Sequence, residues 1–326
     1  MTGKVGADLA NDHIERRLRV DRWEQLADDV VGLSLQDADG RRLPVWEPGA
    51  HIDLVLASGV VRQYSLCGDP DDRGSWRVAV LREHPGTGGS RLVHDQIRAG
   101  DVLGSNGPRN HFELVPAPRY IFIAGGIGIT PILPMVGAVQ AAGADWRLHY
   151  CGRTRARMAF ADELVAAHGS HVTIYCDDEG DLLDLEALLS TPESDTLVYC
   201  CGPEGLLEAT ETRCTDWSSG ALRVERFAAR PLTEALPNRA FEVELAESGM
   251  TLIVPADTSL MDVLEEAGVA IMHSCREGTC GTCETVVLDG VVDHRDSLLT
   301  ADERAANDVM FVCVSRAAGS RLVLDL

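Results

Sequence analysis

Four cysteines constrain this chain more than any other feature. Cys275, Cys280 and Cys283 stand in the string CREGTCGTC, and Cys313 follows thirty residues after the last of them. A C-x4-C-x2-C run with one distant cysteine is the spacing that ligates a plant-type [2Fe–2S] cluster: one short loop gives three thiolates and a second segment closes the cage. Structural zinc sites usually bring their ligands in two close pairs instead. Gly278 and Gly281 lie between the ligands, where a loop folding over an inorganic core needs backbone freedom. A one-electron carrier needs a donor upstream and an acceptor downstream, so the remaining chain must supply at least one of them.

At 326 residues the chain has room for two or three domains. No run approaches the roughly 20 apolar residues of a membrane span. The N-terminal MTGKVGADLANDH lacks the basic-then-apolar pattern of an export signal. The expectation is a cytoplasmic protein whose ten cysteines are reduced thiols rather than disulfides. Cys176, Cys200 and Cys201 end apolar β-like runs, where a free thiol is a small buried hydrophobe. The formal charge of −22 argues against nucleic acid, whose phosphates repel such a surface, and against an anionic membrane. Residues 240–326 hold sixteen acidic residues against five arginines, a net −11, half of the total. Solvation explains such a surface; so does steering toward a basic face on an electron acceptor.

The N-terminal region, 14–114, reads as an antiparallel β-barrel. Short apolar or alternating runs at 13–37, 43–57, 60–67 and 75–83 are separated by Gly, Pro and Asp turn signals. Gly86, Gly88 and Gly89 then precede Ser90 and a helical run. Glycines leading into a helix N-terminus expose backbone N–H groups that suit a phosphate, and a plain loop is the simpler alternative. Pro108, Arg109, Asn110, His111 and Phe112 close the barrel, with His111 read as structural.

Residues 115–228 alternate as an α/β parallel-sheet domain should. The strand-like RYIFIAGG runs into Gly125, Gly126, Gly128, Thr130 and Pro131 and then a helix, a strand–turn–helix that can cradle a diphosphate. Pro131 stands where the Rossmann fingerprint has its third glycine, and proline fits a first helical turn. Cys201, Gly202 and Pro203 form a second strand–helix turn further on. Residues 229–239 contain two prolines and no clear period, as a linker should. From 240 to 326 the expected order is hairpin, helix, cluster loop, a second hairpin over 284–293, and a last strand. Ser274 and Arg276 are candidates to hydrogen-bond the cluster sulfurs.

The strings RQYSL (62–66), GTGGS (86–90) and GPRNHF (107–112) resemble the flavin domain of the ferredoxin–NADP reductase superfamily. More narrowly, the whole chain from about residue 15 is similar to the phthalate dioxygenase reductase and vanillate demethylase reductase family. The resemblance implies three parts: a flavin β-barrel, an α/β nicotinamide domain and a β-grasp ferredoxin domain. It places Arg62 near the flavin phosphate, with Gln63 beside it and Tyr64 against the isoalloxazine. Ser65 falls near flavin N5, and the backbone of Ala79, Val80 and Leu81 at the pyrimidine edge. Gly88, Gly89 and Ser90 hold the phosphate; Cys201 and Gly202 border the nicotinamide; Phe227 lies near the flavin at the domain exit. Ser65, Cys201 and Phe227 are the candidates closest to the chemistry.

The resemblance implies FMN in preference to FAD, and NADH in preference to NADPH. By the general rule, however, an acid after the second strand marks NAD and an arginine marks the 2′-phosphate. Here Arg153, Arg155 and Arg157 follow that strand and no acid does. The implied activity takes a hydride from NADH to flavin N5, then single electrons through the cluster to a separate terminal oxygenase. A Rieske-type aromatic oxygenase or O-demethylase is the first acceptor and a cytochrome P450 the second. A redox sensor or binding module, with the cluster as a switch, is the reading from a different class. The chain shows no Rieske Cys-x-His pairs and no obvious 2-His-1-carboxylate set of its own.

Overall fold

In the computed structural model, residues 15–56, 59–83, 88–230 and 236–326 are described. Gly86 of the expected phosphate loop and residues 231–235 of the expected linker lie outside them. Two compact units divide after Glu225.

The first unit begins with alternating strands. In β1 (Arg16–Ala27) Leu18 and Val20 point inward, and Asp29, at φ 59°, turns the chain into β2 (Val30–Asp37). β3 (Ala50–Val55), β4 (Val61–Ser65), β5 (Trp76–Leu81), helix α1 (Gly89–Gln96) and β6 (Val102–Asn110) follow. The six strands form one antiparallel sheet in the order β4-β3-β6-β1-β2-β5. Its two edge strands meet through a Leu66–Val78 bridge, which curls the sheet round Leu33, Leu35, Ile52, Leu54 and Trp76. β6 is central to the sheet, yet it carries Gly104, Gly107 and Pro108. It tolerates them because β3 shifts register opposite, between His51 and Asp53.

The same unit holds a parallel sheet built from β7 (Arg119–Gly125), β8 (Asp145–Gly152), β9 (Val172–Cys176), β10 (Thr196–Cys201) and β11 (Leu222–Glu225). Its order is β11-β10-β7-β8-β9. Helices α2 (Ile129–Ala142), α3 (Ala161–His168), α4 (Leu185–Leu189) and α5 (Glu204–Arg213) connect the strands. β7 and β10 are near-continuous apolar runs, as strands covered on both faces require, whereas β8 exposes Asp145 and Arg147. The two sheets share one core: Val30, Cys67, Ala79 and Phe112 cluster with Phe122, Tyr150 and Tyr199. Arg157 pairs with Asp29 across this junction, and Arg77 lies over the Phe160 ring at 5.0 Å.

The second unit has β12 (Phe241–Leu245), β13 (Met250–Val254), α6 (Leu260–Glu266), β14 (Glu284–Asp289), β15 (Val292–Asp293), α7 (Ala301–Ala306), β16 (Val309–Phe311), β17 (Arg316–Ala317) and β18 (Arg321–Leu324). A mixed sheet runs β13-β12-β18-β14-β16, with β15-β17 as a separate ribbon. Ser259 caps α6, and a Thr300–Glu303 capping box starts α7. The expected hairpin over 284–293 does not form. β14 is paired on both sides, by β16 and β18, so β15 has no free edge there and pairs β17 instead. Among the described residues no helix is long and apolar enough to cross a membrane.

Candidate functional site

The cluster loop leaves α6 and is shaped by three left-handed residues, Arg276 (φ 57°), Gly278 (φ 70°) and Gly281 (φ 72°). Cys280, Cys283 and Cys313 are buried and Cys275 is half-buried. The thiols lie in two hydrogen-bonded pairs, Cys275 with Cys280 and Cys283 with Cys313. The Cys280 contact holds the Cys275 thiol below its ordinary value, and the Cys313 contact lowers Cys283. Backbone N–H groups converge on the sulfurs, as from Glu277 to Cys275 Sγ (3.3 Å) and Thr282 to Cys280 Sγ (3.5 Å). Such N–H donors favour thiolate and tune a bound cluster. Ser274 Oγ is buried with no hydrogen-bond partner among the described residues, an orphan that a sulfur-rich ligand would satisfy. The donor set and the orphan hydroxyl fit a [2Fe–2S] cluster. Arg276 departs from the expectation: its guanidinium turns away to Asp262 (2.9 Å) and Glu265 (2.7 Å) on α6. Two carboxylates within reach outcompete sulfur for a cation, and they anchor the loop at its strained residue.

At the nicotinamide turn, Gly125 ends β7, a short 3₁₀ turn covers Gly126–Gly128, and α2 starts at Ile129. A Cβ on Gly128 would fall 2.8 Å from Gly202 N and closer still to the Cys201 carbonyl; one on Gly125 would meet Pro203 Cδ at 2.6 Å. These glycines, with Gly202, let two strand ends touch backbone to backbone. Gly126 alone has φ 55° and open space around it. Thr130 and Pro131 are buried, and the Thr130 hydroxyl donates to the Ile127 carbonyl (2.9 Å) inside the turn.

Cys201 is fully buried, its Sγ 3.9 Å from Glu225 Oε2 on the neighbouring strand. Burial pushes the Cys201 thiol well above its ordinary value and the Glu225 carboxyl up to about 8. Glu225 escaped notice in the sequence because nothing in LRVERF pairs it with a cysteine 24 residues away; only the parallel β10–β11 register does. Of the three arginines after β8, Arg155 is held by Asp162 and Arg157 by Asp29. Exposed Arg153 makes no ion pair among the described residues. The acid missing from that strand arrives from the next one. Asp177, Asp178 and Glu179 form an exposed turn after β9, and the Asp178 N–H donates to the Arg153 carbonyl (3.1 Å).

The expected flavin residues sit on β4, β5 and the start of α1. Gly88, at φ 93°, precedes α1, and a Cβ on Gly89 would lie 2.7 Å from Arg62 Nε. The structure therefore brings Arg62 onto the N-terminal turn that carries Gly88, Gly89 and Ser90, a cationic cradle that fits a phosphate. The Ser90 hydroxyl accepts from Glu83 N–H (3.2 Å). Tyr64 lies against the barrel core, where burial raises its hydroxyl pKa. Ser65 is buried opposite His51. Ala79–Leu81 belong to the terminal strand of the sheet and pair on one side with Val30–Gly32 of β2. Gln63 donates to Asp53 (3.2 Å), which is also paired with Arg109 (2.6 Å). Arg109 of GPRN thus neutralises a buried carboxylate. Phe227, just past β11, is 47% exposed.

Two family models match: a 2Fe-2S iron-sulfur cluster binding domain over residues 243–318 and an oxidoreductase NAD-binding domain over 122–212. The chain is 42% identical over 313 residues to phenoxybenzoate dioxygenase subunit beta of Ectopseudomonas oleovorans, covering 95% of this chain and 97% of that protein. Among solved structures, phthalate dioxygenase reductase, described as modular for electron transfer from pyridine nucleotides to [2Fe–2S], is 37% identical. It matches with a TM-score of 0.69 over 95% of this chain and 97% of its own. A type IV self-sufficient cytochrome P450 monooxygenase is 45% identical with a TM-score of 0.92; it covers all of this chain, which spans only 43% of that longer one. Glycine turn, cysteine cage and whole-length similarity agree: the chain belongs to the phthalate dioxygenase reductase family of flavin and iron–sulfur oxidoreductases.

Proposed function

We propose that this chain is the NADH-dependent reductase component of a multicomponent oxygenase, working in the cytoplasm with FMN and one [2Fe–2S] cluster. The observation that carries the reading is the convergence of Cys275, Cys280, Cys283 and Cys313 in a chain that also bears the Gly125–Gly128 nicotinamide turn. In this reading the flavin domain spans 14–114, the nicotinamide domain 115–228 and the ferredoxin domain 240–326, with 229–239 between them. The bound groups supply hydride acceptance from NADH and its release as single electrons.

The chain's residues bind and orient. Arg62, with the N–H groups of Gly88–Ser90, holds the flavin phosphate, and Tyr64 faces the ring. Ser65 offers a hydroxyl near N5, and the Ala79–Leu81 backbone meets the pyrimidine edge. Gly126 lets the diphosphate approach the α2 N-terminus, with Gly125, Gly128, Thr130 and Pro131 shaping the turn behind it. Cys201, Gly202 and Pro203 border the nicotinamide, and Phe227 lies beside the flavin. The Asp177–Glu179 turn beside Arg153 supports NADH: three carboxylates there disfavour a 2′-phosphate.

A Rieske-type aromatic oxygenase or O-demethylase is the acceptor favoured by the family. The likeness to part of a self-sufficient P450 favours a P450 as the second reading. Anaerobically purified protein should carry about two irons, two labile sulfides and one FMN per chain, and NADH should bleach flavin and then cluster. NADH oxidation coupled to purified Rieske or P450 partners separates the two acceptors. Protein that never reduces its cluster with NADH would overturn the assignment.

A further inference from the structure

We infer that His294, facing Asp296 behind the cluster loop, is a proton site coupled to the cluster: an electron gained by the cluster is met by a proton from water on this ring. The inference rests on the reading above only in that the cage holds a [2Fe–2S] cluster, and every contact it uses lies within the second unit. Buried polar groups are nearly always hydrogen-bonded, so a group of them left unsatisfied calls for a reason. Just past β15, the side chains of His294 and Asp296 are 7% and 0% exposed. Neither ring nitrogen of His294 has a hydrogen-bond partner among the described residues, and neither has Asp296 Oδ1. His294 Nδ1 and Asp296 Oδ1 face each other at 3.7 Å, beyond hydrogen-bond length. The second carboxylate oxygen, in contrast, is occupied: Oδ2 accepts from Leu298 N–H (3.1 Å) and Leu299 N–H (2.8 Å) and lies 3.7 Å from Arg304 Nη2. The turn is thus built on one oxygen of Asp296, and the other is left toward the imidazole. A proton on Nδ1 would give that oxygen a charged donor.

The pair lies directly against the cluster loop. A Cβ on Gly278 would lie 3.1 Å from Asp296 Cα, and Ser297 N–H donates to the Gly278 carbonyl at 2.9 Å. The Gly278 N–H in turn donates to the Cys313 thiol. Gly278 thus touches Asp296 on one side and a cluster ligand on the other. Burial holds His294 below its ordinary range; Asp296 and the adjacent Asp293 draw it back up, and Arg304 on α7 pushes it down. The ring is therefore neutral at pH 7 while the cluster is oxidised. A unit charge at about 10 Å changes a proton affinity about tenfold at the effective dielectric of a protein site. Reduction brings such a charge to the far side of Gly278. The step balances: one electron enters the cluster from reduced flavin, one proton passes from water to the imidazole, and nothing else forms or breaks. Linkage makes the effect reciprocal, so a proton on His294 favours the reduced cluster by the same factor.

The test is an anaerobic titration of the cluster potential in the holoprotein, with dithionite and mediators, from about pH 5 to 8. Wild type, His294→Gln and Asp296→Asn are compared, each with its iron content and EPR signature. The wild-type potential should fall as pH rises, by about 59 mV in all, which is the tenfold coupling for one electron. In His294→Gln the potential should not vary with pH. Asp296→Asn keeps an oxygen for Leu298 and Leu299 but loses the charge facing the ring, so its fall should move to lower pH. A merely structural role would alter iron content or EPR signature and leave the pH slope in place. A wild-type potential independent of pH, or the wild-type fall persisting in His294→Gln, overturns the proposal. Should His294→Gln lose its iron, Asp296→Asn decides: a fall at the wild-type pH overturns the proposal and a shift to lower pH supports it. Failure of the functional reading looks different: NADH would bleach the flavin and leave the cluster oxidised, while the dithionite titrations would be unchanged.

Discussion

The cluster loop and the nicotinamide turn both depend on glycine, for different physical reasons. In the cluster loop Gly278 and Gly281 adopt positive φ, and Arg276 joins them at a strained angle held by Asp262 and Glu265. There the requirement is shape, a nest of N–H groups turned toward sulfur. In the nicotinamide turn Gly125 and Gly128 have ordinary negative φ, and what excludes a side chain is the Cys201–Gly202 backbone against Gly128 and the Pro203 ring and Leu206 side chain against Gly125. Only Gly126 combines positive φ with open space. A glycine motif thus mixes positions that pack with positions that face a ligand, and composition alone does not separate them.

Substitutions can break this comparison, beginning with the largest effect. Gly128→Ala drives a methyl into the Cys201–Gly202 backbone, which cannot yield as a flexible side chain would. It should destabilise the first unit by about 3 kcal/mol, seen as a lowered thermal transition with cluster content unchanged. Gly278→Ala meets Val314 Cγ2 at 2.7 Å and carries the left-handed penalty; a loss of about 2 kcal/mol should appear as iron and sulfide lost per chain, with NADH-driven flavin bleaching intact.

Glu225 sharpens the contrast through pH. Its carboxyl keeps a proton in the folded chain up to about 8, whereas the unfolded chain releases it near its ordinary 4.5. The folded state therefore binds more protons between those values, and its contribution to stability falls as pH rises through that window. Glu225→Gln should flatten the decline in Tm of the first unit between pH 5 and 8 and leave the second unit's transition alone. Gly126→Ala is the mildest change, about 1 kcal/mol of backbone strain. If Gly126 faces the diphosphate, KM for NADH should rise several-fold with kcat little changed; an unaltered KM would assign this glycine to the turn alone.

The cage was legible because four cysteines at that spacing have few other uses, and the parallel sheet because apolar strands alternate with helical runs. What escaped the sequence was set by partners distant along the chain. β6 carries Gly107 and Pro108, which a central strand tolerates only beside a register shift in its neighbour. Residues 284–293 carry a hairpin signal at Asp289-Gly290, but β14 finds better partners in β16 and β18. Arg276 looked like a sulfur donor until α6 placed two carboxylates beside it. The acids near Arg153 follow β9, not β8, so a rule that inspects one strand end passes over them.

The most direct test replaces one cage ligand. In Cys280→Ala, NADH should still bleach the flavin and two-electron dye reduction should survive, while cytochrome c reduction falls to background. Cytochrome c reduction at the wild-type rate in that variant would show that single electrons leave by another route, and the account of this chain as a flavin-to-cluster relay would be wrong.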